Sequence, residues 1–180
     1  MNDIFIGSDH HIGHRNILNF CPSSRPFKTV EEMDNAIVER HNSLVKPEDE
    51  MYFLGDFSFS SVDRTCEVLA QMNGIKTYLF GNHCRVMKDH KISKYFKQMQ
   101  KYMEIKVDNR DIILFHFPIL EWNKCHRGSY HFFGHLHSNL VRGRSMDIGL
   151  DSNNCYPHNI RDLIEKLKDN NLEFYHKVRE

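Results

Sequence analysis

The sequence predicts an α/β protein whose strands form a mixed sheet, resolved into two sheets packed together. Two observations carry this. Residues 3–80 alternate apolar runs with amphipathic stretches in the order β-α-β-α-β, the mark of parallel strands joined by crossover helices. From 102 onward, apolar runs follow one another with turns between them, as consecutive strands do. The length of 180 residues fits a single domain, 1–180, able to bury a core without disulfide or metal staples.

Each element has its own signal. "DIFIGS" (3–8) is a short buried strand. "TVEEMDNAIVERHNSLV" (29–45) is an amphipathic helix, with Thr29 as N-cap, Glu32 completing a capping box and Pro47 as the stop. "EMYFLGD" (50–56) is the second strand, "SVDRTCEVLAQMNG" (61–74) a helix with Gly74 at its end, and "IKTYLF" (75–80) the third strand. The basic stretch 86–100 reads as a helix with a solvated lysine face. In "YMEIKVDNRDIILFHF" (102–117) the "DN" between two apolar runs marks a hairpin. "SYHFFGH" (129–135) and "RSMDIGLD" (144–151) are further strands, "NIRDLIEKLKDN" (159–170) a helix, and "LEFYHKV" (172–178) a last edge strand.

Composition narrows the function. With 24 basic and 24 acidic residues the formal charge is zero, which argues against duplex nucleic acid or an anionic membrane as partner. No apolar run is long enough to cross a bilayer, and "MNDIFIGSDHH" lacks a signal-peptide pattern. The expectation is a soluble, cytoplasmic protein. Five widely spaced cysteines without a C-x-x-C pair fit neither a disulfide framework nor a zinc ribbon.

The anomaly is thirteen histidines, several of them at strand ends. "IFIGSDHH" delivers Asp9 and His11; "MYFLGD" delivers Asp56; "IKTYLFGNH" delivers Asn82 and His83; "IILFH" delivers His116; "HFFGHLH" delivers His135 and His137. That edge of an open α/β sheet is where ligands bind. Asp, His and one Asn form an N/O ligand set suited to Mn2+, Zn2+, Fe or Ni2+. In D-x-H and H-x-H the outer two groups point the same way if the segment is extended, and His10 then points away. Asp56, alone after Gly55, is a natural bridging carboxylate. The set suffices for two divalent ions, which can clamp a phosphoryl group between them.

At these residues the sequence resembles the calcineurin-like metallophosphoesterase family, whose D-x-H … G-D … G-N-H … H … G-H-x-H signature is matched in order by "DHH", "GDF", "GNH", "FHFP" and "GHLH". It is closest to the small bacterial and phage-type members, through "DHHIGHRNI", "NSLVKPEDEMYFLGDF" and "DIGLDSNNCYPHNI". The resemblance spans about residues 3–165. It implies a sandwich of two mixed sheets flanked by helices. It also implies one metal on Asp9, His11, Asp56 and His137 and a second on Asp56, Asn82, His116 and His135, with Mn2+ favoured. His83 is then no ligand but a proton donor or transition-state stabiliser at the leaving group. Two positions depart from the pattern: Cys84 stands where a carboxylate usually orients that histidine, and Phe115 replaces a small residue before His116.

Around this set, His14 and Arg85 are candidates for substrate contact, and Arg15 a weaker one. The 123–129 loop could reach the rim through His126 or Arg127, though a plain loop is the simpler reading. His41, His90, His131, His158 and His176 read as surface or core residues. The function implied is a dinuclear-metal phosphoester hydrolase using a metal-bridging hydroxide, with phosphodiesters of nucleotide type as the preferred small-molecule substrates. The alternatives are a phosphomonoesterase acting on nucleotides or proteins and, in another class, a non-catalytic scaffold of the same fold.

Overall fold

The structure, a computed structural model, describes residues 2–171. The first half runs β1 (Ile4–Gly7), α1 (Ile17–Phe20), α2 (Val30–Leu44), β2 (Glu50–Leu54), α3 (Val62–Gln71), β3 (Ile75–Leu79), α4 (His90–Ser93) and β4 (Gln98–Gln100). The second runs β5 (Tyr102–Val107), β6 (Arg110–Phe115), β7 (Tyr130–Phe133), β8 (Val141–Arg142), β9 (Ser145–Asp147), β10 (His158–Asn159) and α5 (Ile160–Leu167). Two five-stranded sheets result, ordered β10-β1-β2-β3-β4 and β5-β6-β7-β9-β8. In the first, β1 to β4 are parallel and β10 is antiparallel. In the second, the central β6, β7 and β9 are parallel, with antiparallel strands at both edges. Both sheets are mixed, as the sequence predicts.

Strand alternation explains how the sheets stack. Phe5, Met51, Phe53 and Tyr78 face a core shared with Met33 and Ile37 of α2 and Val68 and Leu69 of α3. Their neighbours Ile6, Tyr52, Leu54 and Leu79 face the other way, into a core shared with Ile112, Leu114, Tyr130 and Phe132 of the second sheet. The period of two thus splits each strand between a helix-facing and a sheet-facing layer. Leu163 and Leu167 of α5 close the inter-sheet core.

Several elements differ from the sequence reading. Thr29 does cap α2, its side chain accepting from Glu32 N at 3.1 Å, but the Glu32 carboxylate accepts from Lys28 N rather than closing a reciprocal box. α3 stops at Gln71, and Gly74, at φ +96°, makes the turn into β3 instead of capping the helix. The 86–100 stretch is not one helix. It is a 3₁₀ turn at Val86–Lys88, the single turn α4 capped by Asp89, and then β4, which pairs with the open edge of β3. Its buried residues Met87, Ile92 and Phe96 lack a continuous helical period, and edge pairing outweighs local propensity. The 144–151 strand ends at Asp147, where Oδ1 accepts from Gly149 N at 2.8 Å and turns the chain into a 3₁₀ turn at Leu150–Asn153. The short strands β8 and β10 and the turn α1 lack a readable period. The expected edge strand at 172–178 lies outside the described residues. All five cysteines are free thiols, and among the described residues no helix is long and apolar enough to cross a membrane.

Candidate metal centre

Parallel strands present their C-terminal ends together, and the fold uses this twice. β1, β2 and β3 lead into Asp9, Asp56 and Asn82, while β6 and β7 lead into His116, His135 and His137. Among the described residues ten non-glycine residues adopt positive φ, and five of them are Asp9, His11, Asp56, His135 and His137. Each such residue costs on the order of 1–3 kcal/mol and persists where surrounding bonds hold it, typically at functional sites. This corrects the extended geometry expected of D-x-H and H-x-H. The outer side chains converge because both residues of each pair are left-handed, which tightens the loop. His10 points away, its ring against Phe53 and Phe57.

On one side Asp9 Oδ1 lies 3.8 Å from His11 Nε2 and 3.8 Å from His137 Nε2. Asp9 Oδ1 and His11 Nε2 are buried and have no hydrogen-bond partner among the described residues. Two buried acceptors facing one point without a donor are costly unless a cation joins them. The tautomers agree with this. His137 Nδ1 donates to Asp151 Oδ2 at 2.8 Å, which leaves its Nε2 lone pair toward Asp9. Burial opposes ionisation of Asp9, yet the nearby His11 ring and the charges of His116 and His137 hold the carboxyl down at about 2. Burial would likewise lower His137, but the Asp151 bond together with the charges of Asp9 and Asp151 outweighs it and raises the imidazole.

On the other side His116 Nδ1 donates to the Leu54 carbonyl at 2.7 Å, again freeing Nε2. That nitrogen faces Asp56 Oδ2 at 3.6 Å and Asn82 Oδ1 at 2.8 Å, and Asn82 Oδ1 also lies 3.0 Å from His135 Nδ1. Asp9, Asp56 and His116 lie close enough to share a cation, so Asp56 stands between the two sides. The backbone is kept clear for this: a Cβ at Gly81 would run into Asp56 and His116, and one at Gly134 into Ser8 and Asp9. Both acceptor sets therefore fit divalent cations.

The sequence reading missed the brace behind the first set. Arg25 is 1% exposed. Its guanidinium donates to both Asp151 carboxylate oxygens at 2.9 Å and to the main-chain carbonyls of Asp9 and His10. Arg25 thus ties the strained Asp9–His11 loop to the carboxylate that orients His137. Cys21, His137 and Asp151 also cluster, but Asp151 is already committed to Arg25 and Ser24.

The remaining candidates fall as follows. His83 is exposed beside Asn82, and its backbone N–H donates to Asp56 Oδ1 at 2.8 Å. Cys84 is buried under the bridging carboxylate: its sulfur meets Tyr78 Oη and Gly81 N at 2.9 Å and donates to Asp56 Oδ1 at 3.7 Å. Burial pushes its thiol pKa up. Cys84 therefore supports Asp56 and not the His83 ring. His14 stacks on Phe59 at 4.1 Å, and its Nδ1 lies 2.9 Å from His11 Nδ1. Burial and the neighbouring His11 hold it down at about 4. Arg85 is exposed next to His83, and Arg15 is exposed on its loop. His126 and Arg127 line a depression with Trp122 and Arg144, away from the metal-edge residues. Phe59, which carries no sequence signal, lines two adjoining cavities.

No protein-family model matches the chain. An uncharacterized protein of Methanocaldococcus jannaschii is 29% identical over 177 residues, covering 93% of this chain and 92% of its own length. The gene 66 protein of Mycobacterium phage L5 is 25% identical over 185 residues, 84% of this chain and 88% of that protein. Among solved structures, a protein of unknown function from Aquifex aeolicus aligns with a TM-score of 0.73 at 25% identity, over 93% of this chain and 100% of that one. It shares the two-sheet fold. An archaeal phosphodiesterase aligns with a TM-score of 0.44 at 15% identity, over 82% of each chain.

Proposed function

We propose that the chain is a phosphoester hydrolase working with two divalent ions, and that nucleotide-type phosphodiesters are its preferred substrates. Asp9, His11 and His137 would hold one ion, Asn82, His116 and His135 the other, and Asp56 both. The observation that carries this reading is the pair of buried, partnerless acceptors Asp9 Oδ1 and His11 Nε2, at an edge where five strands deliver ligand-type side chains. Two such ions would supply Lewis acidity to the phosphoryl oxygens and an acidified water able to attack at neutral pH.

The chain's own groups do the rest. The bond from His83 N to Asp56 fixes the backbone of the G-N-H turn, so the imidazole stands at the rim free to give a proton to the leaving oxygen. The Asn82 carboxamide, whose Oδ1 faces His116 Nε2 and His135 Nδ1, can donate from its Nδ2 to the phosphoryl group as charge develops. A cavity of about 450 Å3 lies over the edge, lined by Ile17, Phe20 and Phe59 as well as by five of the candidate ligands, His11, Asp56, Asn82, His135 and His137. Its aromatic wall suits a nucleobase or another flat ester arm.

The test compares kcat/KM for bis-p-nitrophenyl phosphate, a 2′,3′-cyclic nucleotide and p-nitrophenyl phosphate on one Mn2+-loaded preparation. Diester turnover is expected to dominate. Monoester cleavage alone would move the protein to the phosphomonoesterase reading, and no turnover of any ester would leave the scaffold reading. His83→Ala should keep both ions and lose about 10²–10⁴-fold in rate, most for poor leaving groups. Loss of metal in that variant would make His83 a ligand.

A further inference from the structure

Beside His83 and Phe59, next to the metal-edge cavity, lies a second and larger hollow of about 740 Å3. Phe59, Asn82 and His83 line both hollows, so the two adjoin at the candidate metal edge. The second lobe exceeds what a phosphate and a small ester arm need, and drug-sized ligands fill pockets of ~300–1,000 Å3.

Its lining is specific. The floor is apolar, from Phe59, Val62 and Val86, and the wall carries Arg85 and Lys88. These two cations flank a 3₁₀ turn, with Arg85 at its cap and Lys88 at its end. Residues three apart in that geometry eclipse one another, so both side chains leave the turn on the same side. Neither side chain has an ion-pair or hydrogen-bond partner among the described residues. The one carboxylate in the lobe, Asp89, is engaged elsewhere: it caps α4 by accepting from Lys91 N at 2.8 Å and lies 3.5 Å from His90 Nδ1. Two unpaired cations over an apolar floor match a nucleotide unit, with its base or sugar below and its phosphate against the guanidinium and ammonium.

We infer that this lobe seats a second nucleotide unit together with its own phosphate, so that the substrates are short nucleotide diesters carrying a phosphate beyond the one being cleaved. The inference rests on the phosphodiesterase reading and deepens it. The scissile phosphorus sits at the metal edge, one nucleoside lies along Phe20, and the other extends past His83 into the Arg85 and Lys88 lobe. Hydrolysis adds water across the scissile P–O bond, and the oxygen leaving toward the second lobe takes its proton from His83.

The experiment uses a thymidine dinucleotide with its terminal phosphate at the 5′ end, at the 3′ end, or absent. On Mn2+-loaded protein, one phosphorylated form should exceed the unphosphorylated one in kcat/KM by roughly tenfold or more. The double variant Arg85→Gln/Lys88→Gln should bring that ratio close to one. A wild-type ratio near one, or a ratio that survives in the double variant, overturns the inference. Turnover of bis-p-nitrophenyl phosphate on the same preparation reports separately on the underlying reading. The same three dinucleotides are also titrated into chelator-treated protein by calorimetry. A phosphate-dependent difference in Kd, lost in the double variant, supports the lobe even if no ester is cleaved, and equal Kd values reject it.

Discussion

Asp9 and His11 are buried, and behind them the Arg25–Asp151 ion pair bonds to the Asp9 carbonyl and to the His137 ring. On the opposite side Asn82 is exposed and His135 half-buried, and Asn82 Oδ1 lies between His116 Nε2 and His135 Nδ1. His116 is anchored to the Leu54 carbonyl, and His135 through its backbone N–H to Asp9 Oδ2. The first half is therefore organised before any ion arrives, whereas the second includes the exposed Asn82, whose side chain meets only fellow candidate ligands among the described residues. Ordering such side chains costs conformational entropy at the moment of binding. Calorimetric titration with Mn2+ should show two steps, the tighter assigned to the braced half.

The harshest challenge to that contrast is the residue both halves share. Asp56 is 2% exposed, accepts from His83 N and faces His116 Nε2. Asp56→Asn keeps the shape and removes the charge, so both steps should vanish together and the rate should fall by about 10²–10³-fold or more. Retention of one full equivalent of metal would show the halves to be independent.

Next in size is the brace. Arg25→Met leaves the Asp151 carboxylate and two main-chain carbonyls short of donors in a buried site. Breaking one partner of a buried pair costs about 3–5 kcal/mol, which for a chain of this length lowers Tm by about 10 °C. The gentler Asp151→Asn keeps a polar group at His137 but removes its charge. It should weaken the tighter Mn2+ step by about 10–100-fold and leave the weaker step in place. Equal weakening of both would erase the distinction drawn above.

The contrast was half legible in the sequence. Strand ends bearing Asp, His and Asn stand out because short apolar runs stop at them, and the "DN" hairpin is read directly, with Asp108 and Asn109 at φ 47° and 62°. Arg25 could not be read in this way. It sits in "CPSSRPFK", which has the composition of a solvated loop, and its partner Asp151 is 126 positions away. A buried arginine in a loop leaves no periodic trace. Nor do the left-handed conformations of Asp9 and His11, whose backbone N–H groups donate to the distant Gly55 and Asp56 carbonyls. The 86–100 stretch misled for the converse reason: its lysines suit a helix, and only the free edge of β3 makes the end of it a strand.

The smallest effect supplies a control, because acid should act on both halves alike. Behind the first sheet His41 Nε2 meets the Asn73 carbonyl at 3.0 Å, and burial holds the ring down at about 4. In the second sheet His131 accepts from Ile119 N at 3.1 Å and faces the Ile113 carbonyl with its other nitrogen, and burial holds it at about 4 as well. Each folded-state pKa is below the ordinary 6.5, so the unfolded chain binds the extra proton first. Stability is therefore full above about 6.5 and is lost as the pH falls toward 4, by ~2 kcal/mol per histidine at pH 5. Urea unfolding in chelator, at pH 7 and pH 5, isolates this from metal release. His41→Asn and His131→Gln should each shrink the difference between the two pH values by a similar amount. If only one of them does so, acid discriminates between the sheets, and the asymmetry of the metal edge extends into the core beneath it.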